Sequence, residues 1–117
     1  MLTFICYPKC TTCQRAQKWL DEKNLEYEFR DIKQNNPTKE ELTKWYKESG
    51  LPLKKFFNTS GLLYKSLDLK NKLPQMTEDE MLTLLATDGM LVKRPLLITK
   101  NTVLIGFKEK AWEEKIK

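Results

Sequence analysis

Two cysteines in C-x-x-C spacing, Cys10-Thr11-Thr12-Cys13, carry the strongest chemical signal in this chain. The residues before them, Leu2 to Cys6, form a short and mostly apolar strand pattern that Pro8 and Lys9 break. After them the spacing turns helical: Cys13, Ala16, Trp19 and Leu20 share one face, and Lys18, Asp21 and Glu22 another. The pair therefore falls where a strand hands over to a helix. A sulfur at a helix start faces unpaired N–H groups and the positive end of the helix dipole, and both favour the thiolate. Cys10, just outside the helix, is placed to attack. Cys13, one turn in and on the inner face, is placed to resolve a mixed disulfide. Lys9 and Arg15 add positive charge nearby. The plainer alternative is two ordinary cysteines that happen to lie three apart.

Zinc is the competing use of such a pair. A closed structural site takes four ligands, and the chain offers neither a second C-x-x-C nor a histidine. Cys6 supplies a third thiolate at most, so the fourth ligand would be a carboxylate or come from another chain. No metal site and no cofactor are expected. Cys6 itself reads first as a small buried residue ending the first strand, and second as a third redox thiol close in sequence to Cys10.

Arg94-Pro95 is the second constellation. A proline opening a strand has no N–H for the ladder, so its place is a sheet edge or a cis turn. A cis-proline beside a reactive thiol leaves the preceding backbone free to pair with an extended substrate. Arg94 would then hold an anion or a substrate carboxylate near Cys10; the alternative is a surface arginine in a loop.

Composition narrows the chemistry further. With no histidine, every triad, relay or metal site that needs an imidazole is excluded. Three cysteines cannot form a fully paired disulfide framework, and they are few for a secreted, disulfide-dependent domain. The apolar runs are far too short for a membrane span. The start, Met1 to Ile5 running straight into Cys6 and Lys9, does not read as a signal peptide. A reduced, cytoplasmic, single-domain protein is expected over residues 1–117. The net charge of +5 comes from lysines interleaved with acids, which suits a solvated surface better than a one-sided nucleic-acid footprint. Arginine is the scarce cation, at Arg15, Arg30 and Arg94 only. Its planar fork suits oxyanions and carboxylates, so the placement of those three matters.

The remaining elements follow from pattern. A second strand is expected over Tyr27 to Ile32, giving strand, helix, strand in about 32 residues, the size of a βαβ unit. The first helix should stop near Asn24. Thr38 with Glu41, and Thr77 with Glu80, are capping-box signatures opening two later helices, ended by Gly50 and by Asp88-Gly89. Shorter helical pieces are expected around Leu53 to Phe57 and from Leu63 to Leu69. Pro95 to Thr99 and Thr102 to Gly106 read as a hairpin turning at Lys100-Asn101, and Lys108 to Ile116 as a closing helix. The expected fold is α/β and thioredoxin-like, β-α-β followed by β-β-α around a four-stranded mixed sheet. A helical insertion runs from about Thr38 to Asp88.

Taken together, Cys10-Thr11-Thr12-Cys13-Gln14-Arg15-Ala16, Lys93-Arg94-Pro95-Leu96 and Ile105-Gly106-Phe107 resemble the ArsC/Spx family. That family unites glutaredoxin-coupled arsenate reductases with the redox-sensing transcriptional regulator Spx. The resemblance runs from the first strand to about Trp112 and implies the same thioredoxin-like fold. It implies a thiol–disulfide oxidoreductase in which Cys10 is the nucleophile and Cys13 the resolver, closing a Cys10–Cys13 disulfide. Thr11 and Thr12 would contribute backbone N–H groups, and Arg94 and Pro95 the substrate-side wall. A thiol reductant of the thioredoxin or glutaredoxin/glutathione type is the implied partner.

The resemblance also separates the two branches. Two further arginines of the arsenate site would fall near Asn58 and Gly106, and the reductases' histidine falls on Cys6. One arginine where three are expected implies poor arsenate binding, so genuine arsenate reduction is the less favoured reading. Spx is similar at the C-x-x-C and at Gly50, whose counterpart lies on the surface that meets RNA polymerase. Its insertion arginine falls on Asn58, and its extended tail is expected to be absent beyond Ile116. The chain resembles most an ArsC-like branch between the two. A Spx-like regulator binding the RNA polymerase α subunit is the alternative; a monomer without membrane or direct nucleic-acid partners is expected.

Overall fold

The computed structural model describes residues 2–100 and 102–116. Four strands form one sheet: β1 (Leu2–Cys6), β2 (Tyr27–Asp31), β3 (Leu96–Ile98) and β4 (Val103–Ile105). Their spatial order is β2-β1-β3-β4; β1 runs parallel to β2 and antiparallel to β3, and β3 antiparallel to β4. This is the mixed four-stranded sheet expected from the pattern. Lys100 follows β3 after Thr99, and Asn101 of the expected turn lies outside the described residues.

Strand alternation sorts the side chains into two layers. Phe4 pairs with Leu97 and Leu97 with Leu104, and this row faces α1 (Thr11–Glu22) and α6 (Glu109–Lys115). Ile5, Leu96 and Ile105 form the neighbouring row and face the helical segment between β2 and β3. That segment contains α2 (Lys39–Ser49), α3 (Leu62–Ser66), α4 (Leu69–Lys72) and α5 (Glu78–Leu85), with 3-10 turns at Leu53–Phe56, Leu73–Gln75 and Gly89–Leu91. Among the described residues no helix is long and apolar enough to cross a membrane.

Helix α1 forms as its periodicity predicts. Cys13, Ala16, Trp19 and Leu20 are its buried residues, and burying each large side chain contributes about 1.5–3 kcal/mol. Asn24, in the left-handed region at φ 56°, turns the chain out of the helix, and the Leu25 amide reaches back to the Leu20 carbonyl at 3.2 Å. Both capping boxes are present, at Thr38–Glu41 and Thr77–Glu80, and Gly50 ends α2 at φ 68°.

Two boundaries depart from the expectation. The helical piece predicted from Leu63 to Leu69 is divided at Asp68, which takes the left-handed conformation (φ 53°) and separates α3 from α4. Its carbonyl accepts from both Asn71 and Lys72, and aspartate is one of the few residues that tolerates that region. Helix α5 stops at Leu85 instead of Asp88-Gly89. The Thr87 hydroxyl donates to the Leu84 carbonyl, and the Asp88 carboxylate accepts from the Met90 amide. These local bonds replace the helix ladder with a 3-10 turn.

Candidate active site

Cys10 is the N-cap of α1. Its backbone is extended (φ −83°, ψ 123°), and its side chain caps nothing. Its amide donates to the Tyr7 carbonyl at 2.9 Å and its carbonyl accepts from the Gln14 amide at 3.0 Å. The Gln14 side-chain amide also donates to the Pro8 carbonyl at 3.0 Å. The loop from Tyr7 to Cys10 is thereby braced against the first turn of α1, and Cys10 is half-buried. The amides of Thr11 and Thr12 fall in the first turn, where a helix has no internal acceptors for them.

Cys13 lies one turn in and is 1% exposed. It is packed in one buried cluster with Cys6, and Cys10 packs against that cluster. Its interaction with Cys6, then burial, push the Cys13 thiol far above the ordinary thiol range. The Tyr7 backbone and Cys10 pull weakly the other way. Cys13 is therefore a protonated thiol waiting behind a half-exposed one. All three cysteines are free thiols here. Among the described residues, no cluster of three or more cysteines and carboxylates is arranged to hold a metal ion.

Cys6 ends β1 on the face covered by α1 and is 1% exposed, packed with Phe4, Cys13, Leu97 and Trp112. The first reading of it, a small buried residue, describes its burial; its contact with Cys13 goes beyond that reading.

The Arg94-Pro95 peptide is cis, and β3 lies inside the sheet, so the edge alternative for Pro95 does not apply. Pro95 is buried, and its carbonyl accepts from the Gly106 amide at 2.8 Å. Arg94 is half-buried, not a free surface arginine. Its guanidinium carbon lies 5.6 Å from the centre of the Tyr7 ring. Its Nε and Nη1 are buried and have no hydrogen-bond partner among the described residues. Buried donors of this kind are costly unless a ligand or water completes them. Arg94 lines a cleft of about 490 Å³ with Asn58, Ser60, Leu62, Leu63 and Met90, within the size range of small-molecule sites. Leu62 stands at its rim, 87% exposed.

The other two arginines serve differently. Arg30 makes a two-pronged bond to the Glu41 carboxylate at 2.6 and 2.8 Å and donates to the carbonyls of Asn35 and Asn36. It is a structural clamp. Arg15 is exposed on α1. Of the positions expected to be arginine in an arsenate site, Asn58 shares the cleft with Arg94, and Gly106 is bonded to Pro95. The geometry thus gathers those positions at one end of the sheet, with one guanidinium among them.

Sequence reasoning missed Tyr7. It supports the Arg94 guanidinium with its ring and fixes Cys10 through its carbonyl. Its only sequence signal is an aromatic in the short loop between the strand and the C-x-x-C.

Residues 6–115 match the ArsC family. The chain is 56% identical over 113 residues to the uncharacterized protein YusI of Bacillus subtilis, covering 97% of this chain and 96% of the relative. It is 31% identical to the regulatory protein MgsR of the same organism (91% of this chain, 82% of the relative) and 25% identical to the global transcriptional regulator Spx of Streptococcus mutans (93% and 78%). Among solved structures, an ArsC family related protein from Bacteroides fragilis superposes with a TM-score of 0.95 at 58% identity, covering 97% of this chain and 95% of that one. A possible arsenate reductase from Streptococcus mutans gives 0.89 at 48% identity, covering 97% and 98%. This chain belongs to the ArsC family.

Proposed function

We propose that this protein is a cytoplasmic thiol–disulfide oxidoreductase of the arsenate-reductase-like branch, a single thioredoxin-like domain over residues 1–117. The observation that carries the reading is the half-exposed Cys10 at the start of α1 with the buried Cys13 one turn in, packed behind it. The Cys10 thiolate attacks a substrate disulfide and forms a mixed disulfide, releasing the first thiolate. Cys13 then attacks the Cys10 sulfur, loses its proton to the departing thiolate and closes Cys10–Cys13. A thiol reductant of the thioredoxin or glutaredoxin/glutathione type returns two electrons, as one dithiol or two monothiols. The first-turn amides of Thr11 and Thr12 face the negative charge on sulfur, and Arg94 with Pro95 walls the substrate side. Arsenate is the weaker substrate candidate, because Arg94 is the single guanidinium lining the cleft. The test is turnover of hydroxyethyl disulfide coupled to thioredoxin or glutaredoxin. Cys10→Ser should abolish turnover, and Cys13→Ser should accumulate the mixed disulfide. Wild-type protein inert with both reductants would end the enzyme reading.

A regulator is the second reading, favoured by the likeness to MgsR and Spx. Gly50, exposed at the end of α2 with no atom within 4 Å of where a Cβ would stand, presents a bare surface at the position relevant to that reading. Retention of the RNA polymerase α subunit by the immobilised protein, altered between its reduced and oxidised forms and coupled to no disulfide turnover, would favour it.

A further inference from the structure

Three thiols meet at one place, and the reaction above uses two. Cys13 shares one packed cluster with Cys6, at the end of β1, and Cys10 packs against that cluster from the start of α1. Cys6 and Cys13 are both 1% exposed and belong to the same packed cluster, whereas Cys10 is half-buried at its edge. Cys6 is also held in place, because its carbonyl accepts the Ile32 amide at 2.9 Å at the end of the β1–β2 ladder. Thiols already packed together need little movement to bond, provided the backbone brings their β-carbons together.

We propose that Cys6 is a third redox thiol, to which Cys13 passes the disulfide inward, restoring Cys10. The proposal rests on the Cys10–Cys13 disulfide of the preceding reading. In the step, the Cys6 sulfur attacks the Cys13 sulfur of that disulfide. The Cys6–Cys13 bond forms and the Cys10–Cys13 bond breaks. The electron pair of the broken bond stays on Cys10, and the proton of Cys6 is given up to solvent or to Cys10. No outside oxidant or reductant is consumed, because the exchange only moves an existing disulfide. Cys10 leaves as a thiolate at the half-buried start of α1, at the edge of the packed cluster. The oxidised protein then stores its disulfide in the core and offers Cys10 to a second disulfide substrate. Reduction runs the same path backwards, since a reductant reaches only Cys10 from solvent.

Trypsin provides a direct assay, because cleavage after Lys9 and Arg15 separates Cys6 from a hexapeptide holding both Cys10 and Cys13. The full-length protein is oxidised with one equivalent of diamide, quenched in acid, labelled with N-ethylmaleimide under denaturing conditions and digested. The expected main oxidised species is peptide 1–9 cross-linked to peptide 10–15, with the label on Cys10. In Cys6→Ala the cross-link should be lost, the 10–15 peptide should close on itself, and Cys10 labelling should disappear. A wild-type 10–15 peptide closed on itself, with label on Cys6, overturns the proposal while leaving the oxidoreductase reading intact. So does a cross-link with the label on Cys13. Full labelling of all three cysteines after diamide means no disulfide formed, and both readings fall together. The wild-type map decides the matter even if Cys6→Ala folds poorly.

Discussion

The Arg94 guanidinium lies over the Tyr7 ring, 5.6 Å from its centre, and two of its nitrogens are buried without a hydrogen-bond partner among the described residues. The ring supports the cation from one side and leaves its fork to be completed by an acceptor. A disulfide substrate carrying a carboxylate supplies that acceptor. Arg94→Ala should therefore raise KM for such a substrate by roughly 10- to 100-fold, the value of one or two charge-assisted bonds. Its uncharged analogue should be affected much less. Arg94→Lys should recover little, because an ammonium does not reproduce the planar fork. Equal losses for charged and uncharged substrates would show that Arg94 serves only packing.

Much of this site was legible in the sequence, and the exceptions share a cause. The C-x-x-C at a helix start, both capping boxes and the Arg94-Pro95 junction are local patterns, read from neighbours in the chain. The role of Tyr7 was not legible because it depends on Arg94, which arrives from the far side of the helical segment. The contact between Cys6 and Cys13 depends on how α1 docks on β1, and strand alternation alone gives Cys6 a face but not a neighbour. Asp68 hid for another reason: its left-handed turn breaks a stretch whose apolar spacing runs on unbroken.

Cys13 makes the protein sensitive to alkali. Its thiol is held well above its ordinary value of 9.0 by the interaction with Cys6 and by burial, so the folded protein keeps the proton that the unfolded chain gives up. This contribution is intact below the ordinary value and is lost as pH rises past it. The slope approaches about 1.4 kcal/mol per pH unit. Urea unfolding from about pH 8 to about pH 10 should show a steeper fall for wild type than for Cys13→Ala, which has no proton to lose there. Parallel curves would contradict the buried, neutral thiol.

The Arg30–Glu41 pair should set an acid limit instead. Arg30 holds the Glu41 carboxyl below its ordinary value, and the Thr38 backbone adds to the effect. One carboxylate thus joins β2 to the start of α2. Glu41→Gln should cost about 1–3 kcal/mol at neutral pH, toward the lower end because the carboxylate is about a third exposed to screening solvent. The depressed group contributes above the ordinary carboxylate value and loses that contribution as pH falls through its own. Wild type and variant should therefore converge in acid. Disulfide turnover at neutral pH should not change, and a large drop would mean the clamp reaches the site.

Gly89 tests how the helical segment is fastened to the sheet. A Cβ there would stand 1.8 Å from the Ile32 carbonyl oxygen and 2.7 Å from its carbon, backbone atoms that cannot swing aside. Ile32 is itself held by its amide's bond to the Cys6 carbonyl. The strand of chain leaving Gly89 is equally constrained: the Leu91 carbonyl accepts from Asn58, Val92 bridges to Phe57, and the Lys93 amide donates to the Phe56 carbonyl. Gly89→Ala must push one of these backbones away, and a shift toward Lys93 displaces Arg94 as well. We expect a loss of about 3 kcal/mol or more, read as a fall in Tm, with disulfide turnover falling alongside it. Gly50→Ala provides the contrast. Its Cβ would meet nothing within 4 Å, and only the left-handed backbone (φ 68°) opposes it, at about 1–2 kcal/mol. Turnover should survive that change. If Gly89→Ala is no less stable than Gly50→Ala, the close approach of residue 89 to Ile32 does not fasten the segment.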